Sequence, residues 1–244
     1  MAVESAGLAP ARTLRQIGEV YVEQASFILP VALILFVPLG LVEAAGEHLF
    51  ELETEDLDAG KLAALIPAAV AQVATSAFGE VFFAGVVMSA VSESMEGRPR
   101  PPLGGLVRAL PYGGLIAVDL LFSLGLALGL VLLIVPGLVF FARYVLAGPL
   151  LKLERKGVRR AFGRSRELAR GHALPLLLLL GGLWLATDVV SSYLSEGGGL
   201  SFGESLLGDW AVATVVELLV TPVWAVAVCV VTVRLLQLER GAAA

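Results

Sequence analysis

Five ionisable residues lie inside otherwise apolar runs of this 244-residue sequence: Glu80, Asp119, Arg143, Asp188 and Glu217. An aspartate or arginine at the middle of a membrane span costs about 2.5–3.5 kcal/mol on insertion scales. Each of the five is therefore expected to face a bundle interior, a cavity or a partner. The chemistry open to them is narrow. Arginine binds a carboxylate through two parallel hydrogen bonds, and intramembrane acids can relay a proton or hold a substrate headgroup. At about 1.5 Å per helical residue, Arg143 lies about 10 Å beyond Pro136, Asp188 about 10 Å before Ser195 and Glu217 about 12 Å after Asp209. These three share a level, whereas Asp119 is about 24 Å from the turn at Pro136 and Glu80 has no fixed depth. The expectation is an Arg143 pair with Glu217 or Asp188, which either fixes helix register or lines a polar site for a headgroup or proton.

A second set of charges lies between the apolar runs. On a helical wheel for residues 158–170, Val158, Ala161, Phe162, Ser165, Leu168 and Ala169 share one arc. Arg159, Arg160, Arg164, Arg166 and Arg170 share the other. This is the pattern of an interfacial amphipathic helix, with its apolar arc in the acyl boundary and its arginines towards headgroups. Each basic residue near anionic lipid contributes about 1 kcal/mol, so the expected partners are membrane phospholipids, anionic on the cytoplasmic side. A topology anchor and a specific phospholipid or protein-docking surface both fit the pattern. No folded reader accompanies the patch, which argues against nucleic acid.

Other chemistry has little support. His48 and His172 lack metal-ligand spacing, and neither a metal nor a cofactor is expected. No G-x-S-x-G elbow, Walker loop or dinucleotide fingerprint occurs. Ser201 and Ser205 have no partnered base, and the glycine runs at 104–105 and 197–199 read as linkers. The single cysteine, Cys229, sits in an apolar run and has no partner for a disulfide within the chain. An enzyme is disfavoured, although buried carboxylates can serve as acid and base.

The elements that must position these residues follow from composition. Apolar residues make up 57% and charged residues 16% of the chain, against about 45–50% and about 25% in soluble domains. Mean hydropathy is +0.86, which places the chain in the membrane class. Six spans are expected, at about 26–45, 62–94, 110–135, 136–153, 172–194 and 210–236. Residues 1–25 read as a tail and an interfacial helix, 26–238 as the membrane domain and 239–244 as a C-terminal tail. GEHLFELETEDLDAGK (46–61) reads as an acidic outer loop, and EGRPRPPLGG (96–105) as a non-helical linker. Pro136-Gly137 reads as the break between the third and fourth spans. Gly125 and Gly129, four residues apart, can let helix backbones approach closely. Of the 17 basic residues, 15 fall on one side: two before the first span, three after the second, eight between the fourth and fifth, and two at the C-terminal end. The positive-inside rule then puts both termini in the cytoplasm.

The sequence also echoes itself. ILPVALIL (28–35), ALPYGGLIAV (109–118) and ALPLLLLLGG (173–182) each lead into a span. VFFA occurs at 81–84 and 139–142, and LLKLER (150–155) resembles LLQLER (235–240). The implied unit is a surface helix followed by two spans, repeated three times. The run Pro136-Gly137, Arg143, Pro149, Glu154, Gly157, Ala161, Ser165, Leu168, Gly171 resembles the membrane domain that precedes the catalytic domain of some bacterial glycerophosphoryl diester phosphodiesterases. It is similar also to the related stand-alone six-helix inner-membrane proteins. No phosphodiesterase domain follows the last span, so the resemblance implies a membrane module and carries over no catalytic residue. The expected protein is all-α and polytopic, with six transmembrane helices as three hairpin-like units and interfacial amphipathic helices. It is expected to be a non-catalytic scaffold or lipid- or partner-interacting module of the cytoplasmic membrane, with a membrane protein or a second copy of itself as further partner. The alternatives are a small transporter or lipid-translocating protein using Arg143 with Glu217 or Asp188 and, behind it, an intramembrane enzyme acting on lipid.

Overall fold

Helix α1 (Pro10–Glu53) is a single helix of 44 residues. Proline at its first position has no N–H to satisfy there, and Pro30 and Pro38 lie inside without ending it. Its buried stripe of Thr13, Ile17, Gln24, Ile28, Val31, Phe36 and Leu39 recurs at helical spacing. The computed structural model to which it belongs describes residues 10–53, 79, 81–95, 97, 102–154, 157–195 and 206–242. Every regular element among these residues is helical. The helix and its buried stripe run without a break through residue 25, the boundary expected between an interfacial helix and a first span. Residues 46–53 of the expected acidic loop are helical as well.

The stripe of α1 is covered by α10 (Leu206–Ala242) and α2 (Val81–Met95). Both run antiparallel to α1. Arg234 Nη1 donates to Gln16 Oε1 at 2.7 Å near one end of the α1–α10 pair. Near the other, Trp210 Nε1 donates to the Val37 carbonyl at 2.8 Å. Gln24 Nε2 donates to Ser94 Oγ at 2.9 Å, and the Phe36 and Phe83 rings lie 5.1 Å apart. The expected span at 62–94 is thus described only in its second part; residues 62–78 and Glu80 lie outside the described residues.

A short helix, α3 (Leu103–Arg108), begins just after Pro102, within the linker expected to be non-helical. Then α4 (Tyr112–Leu132) packs antiparallel to α5 (Ile134–Tyr144) and α6 (Ala147–Glu154). One extended residue, Leu133, turns the chain from α4 into α5. The turn falls ahead of Pro136-Gly137, because a proline in the first turn of a helix has no donor to lose. A Cβ on Gly129 would stand 2.8 Å from Gly137 Cα, so the two backbones meet where the glycine spacing allows it. A second break, at Val145–Leu146, separates α5 from α6. Pro149 accounts for it: proline has no N–H to return to the Val145 carbonyl, and its ring crowds that carbonyl.

Beyond α6 come α7 (Val158–Leu168), α8 (Ala173–Leu176), a π-helical turn (Leu177–Gly181) and α9 (Gly182–Ser195). Gly171, between α7 and α8, has φ +84°, a conformation that strains any residue with a Cβ. Five stretches are long and apolar enough to cross a membrane: Pro10–Val42, Tyr112–Leu132, Ile134–Glu154, Ala173–Leu194 and Trp210–Gly241. Helices α4 and α9 turn Leu120, Leu124, Leu128, Leu185 and Val189 outwards, while Gln24, Ser89, Ser92 and Thr232 are buried. Apolar side chains outside and polar ones inside are consistent with a multi-pass membrane protein. Tyr112, at the start of α4, stacks on Phe82 at 6.1 Å. From there α2 continues about 20 Å to Met95.

Candidate functional site

The break between α5 and α6 is where the remaining elements converge. Carbonyls in the last turn of a helix have no partner within it. One of them, the Arg143 carbonyl, accepts a hydrogen bond from Ser165 Oγ of α7 at 2.8 Å. Ser165 is fully buried, as are Ala161 and Leu168 on the same arc, and the Phe162 ring lies 5.5 Å from that of Tyr144. The apolar arc of α7 is thus applied to the broken helix. Its other face leaves Arg159, Arg160, Arg166 and Arg170 exposed.

Arg164 departs from that exposed set. Its Nε donates to Glu154 Oε1 at 3.0 Å, and its two terminal nitrogens donate to the two oxygens of Glu239. Glu167 stands 3.5 Å away. The hydrogen bonds that it donates to Glu239, then to Glu154, raise the guanidinium further above its already high ordinary pKa, against the opposing effect of burial. Arg164 stays charged at any accessible pH. Glu154 belongs to LLKLER and Glu239 to LLQLER, so one arginine clasps the corresponding glutamate of both repeats, and the leucine pairs Leu150–Leu151 and Leu235–Leu236 are buried alike. Beside the clasp is a recess of about 770 Å³ lined by Arg170, His172, Arg234 and Glu239 among others. His172 Nδ1 and Arg234 Nε are buried there without a hydrogen-bond partner.

On the inner side of the break lies a smaller cavity of about 170 Å³, between α2, α4, the α5–α6 break and α10. Its charged wall is Asp119. Around it stand Phe122 from α4, Tyr144 from α5, and Thr221 and Trp224 from α10. Phe141 braces this wall, with its ring 6.1 Å from Phe122 and 6.3 Å from Trp224. Gly85 and Gly148, which have no side chains, help to leave the space open. Asp119 makes no hydrogen bond or ion pair among the described residues. Thr221 Oγ1 donates to Glu217, one turn earlier on α10.

The expected cluster is therefore only partly assembled. Asp119 lines the cavity and Glu217 adjoins it through Thr221. Arg143 and Asp188 are exposed, on α5 and α9, and neither forms an ion pair among the described residues. The expected pair of Arg143 with Glu217 or Asp188 is not formed, because Arg143 turns its backbone carbonyl to the bundle and its side chain outwards. Glu80 lies outside the described residues. Sequence reasoning passed over Tyr144 and Trp224, which resemble any other aromatic in an apolar run. Pro149 was the available signal, since it marks the Val145 carbonyl as the place where the helix opens.

Fold and site together are those of an all-helical bundle with an apolar exterior, a broken helix and, behind the break, a largely apolar cavity that holds one carboxylate. Comparison with protein-family models, with curated proteins and with solved structures gives no match.

Proposed function

We propose that the chain is a multi-pass protein of the cytoplasmic membrane, without catalysis of its own, that acts as a scaffold or lipid- and partner-contacting module through α7. The two-faced docking of α7 carries this reading. Its apolar arc is fastened to the bundle by Ser165 and Leu168, while Arg159, Arg160, Arg166 and Arg170 remain exposed. The recess beside it, lined by Arg170 and Arg234 among others, adds basic side chains to the same region. Six spans in three hairpin-like units, with both termini cytoplasmic, fit the clasp of Arg164 on two corresponding glutamates. They fit equally the burial of the second phenylalanine of each VFFA, Phe83 and Phe141. A second copy of the chain or another membrane protein is the partner class that such an exposed helix suits.

The test replaces Arg159, Arg160, Arg166 and Arg170 by glutamine and leaves Arg164 intact. In nanodiscs, the parent chain is expected to unfold at higher temperature with phosphatidylglycerol than with phosphatidylcholine. The variant is expected to lose most of that difference, at about 1 kcal/mol per arginine. Retention of the full difference overturns the reading. The transporter reading draws on a different observation, the cavity behind the break with Asp119 in its wall.

A further inference from the structure

We propose that the cavity around Asp119 is a binding site for an organic ammonium group. The proposal rests on the cavity and is independent of the lipid-contacting reading of α7.

Charge sets the sign of the ligand. Among the described residues lining the cavity, Asp119 is the one carboxylate, and no lysine, arginine or histidine joins it. A carboxylate removed from water is costly unless it is paired. The apolar walls that line the cavity provide no such pairing among the described residues, and the Thr221 hydroxyl is turned to Glu217 and not to Asp119. The site therefore favours a cation.

The walls define which cation. Phe122, Tyr144 and Trp224 reach the cavity from three different helices. Aromatic faces attract ammonium groups through the ring quadrupole, and cages of such rings recognise quaternary and substituted ammonium. A hydrated metal ion prefers several oxygen ligands. Besides Asp119, the side-chain oxygens lining the cavity are the hydroxyls of Tyr144 and Thr221, and Thr221 donates its proton to Glu217. Size narrows the ligand further. At about 170 Å³, the space is smaller than the roughly 300–1,000 Å³ of sites that engulf a drug-sized molecule. It suits a headgroup. Two sources offer this chemistry: the amine head of a zwitterionic phospholipid, or a free amphiphilic amine.

The experiment uses the full chain in phosphatidylglycerol nanodiscs, with Trp184 and Trp210 replaced by phenylalanine so that fluorescence reports Trp224. The probe is phenethylammonium chloride, with phenethyl alcohol as the neutral match. Saturable binding of the ammonium is expected to change the Trp224 signal, and Asp119→Asn is expected to weaken it by at least roughly tenfold, the factor that corresponds to about 1.4 kcal/mol. Phe122→Leu, which keeps the carboxylate, is expected to weaken ammonium binding while leaving the alcohol unchanged. It serves as the second variant if Asp119→Asn fails to fold. Equal binding of alcohol and ammonium, or full ammonium binding by Asp119→Asn, overturns the proposal. Repeating the titration with phosphatidylethanolamine in the nanodisc separates the sources. Competition by the lipid identifies its headgroup as the ligand, and an unchanged titration identifies a free amine.

Discussion

The chain treats charge in opposite ways at two places less than two helical turns from Pro149. At the clasp, the three donor nitrogens of Arg164 meet Glu154 and Glu239, so one buried-side cation bridges acids from two helices. At the cavity, Asp119 stands among aromatic and aliphatic walls, with no cation among the described residues that line it. The first arrangement holds α6, α7 and α10 together. The second does nothing for the fold that a neutral side chain would not do as well. Removing a charge is therefore expected to have opposite signs at the two places.

The largest effect is expected at the clasp. Arg164→Met takes away the cation that stands 3.0 Å from Glu154, whose side chain is 17% exposed. The expected loss is about 2–4 kcal/mol, below the figure for a fully buried pair because Glu239 is reached by water. Unfolding in mixed micelles, followed by circular dichroism, measures it. Adding Glu154→Gln and Glu239→Gln to the same variant is expected to recover much of the loss. A single variant as stable as the parent would show that the clasp contributes nothing.

The cavity depends on α4 and α5 being held close, which makes Gly129 the next test. A methyl group there would meet the Gly137 backbone at 2.8 Å, and backbone cannot rotate away as a side chain can. Gly129→Ala is expected to cost about 1–3 kcal/mol by forcing the helices apart. It should also weaken ammonium binding, because Asp119 and Tyr144 ride on those two helices. Gly113→Ala, on the same helix with nothing within 4 Å of the added carbon, is expected to be neutral or stabilising. Equal losses at both glycines would mean that close approach is not what Gly129 provides.

Asp119→Asn supplies the opposite sign. Without an ammonium ligand, the neutral amide is expected to stabilise the fold by about 1 kcal/mol, since an unpaired carboxylate no longer has to be kept from water. The same unfolding measurement as for Arg164→Met decides it. A loss of stability would erase the contrast between the two regions and point to a partner for Asp119 within the fold.

How much of this was legible in the sequence depends on the distance over which each feature acts. The apolar runs marked the helices well, because hydropathy and helical spacing are local. The run from Ala173 to Leu194 shows this. The arc of Ala161, Ser165 and Leu168 on α7 was legible for the same reason. Continuity was harder to read. Nothing local says that α1 passes through residue 25 unbroken, because its N-terminal stripe is buried by Ser94 and Arg234, far along the chain. Pairing was the least legible. Depth counted from run ends placed Arg143 beside Glu217, but depth says nothing of azimuth. The side of α5 that faces the bundle is set by its packing on α4 and α7, which has no signature near Arg143.

The smallest and sharpest test concerns that residue. If Arg143 serves the structure through its carbonyl, the identity of its side chain matters little, and Arg143→Gln is expected to change stability by no more than about 0.5 kcal/mol, as for other exposed positions. Ser165→Ala removes the donor to that carbonyl and leaves it unpaired beside the break, for an expected loss of about 1 kcal/mol. The pair of variants therefore ranks a serine above an arginine, the reverse of the order that charge alone suggests. A large loss in Arg143→Gln, with Ser165→Ala silent, would return the arginine side chain to the centre of the site and remove the case for reading its role from the backbone.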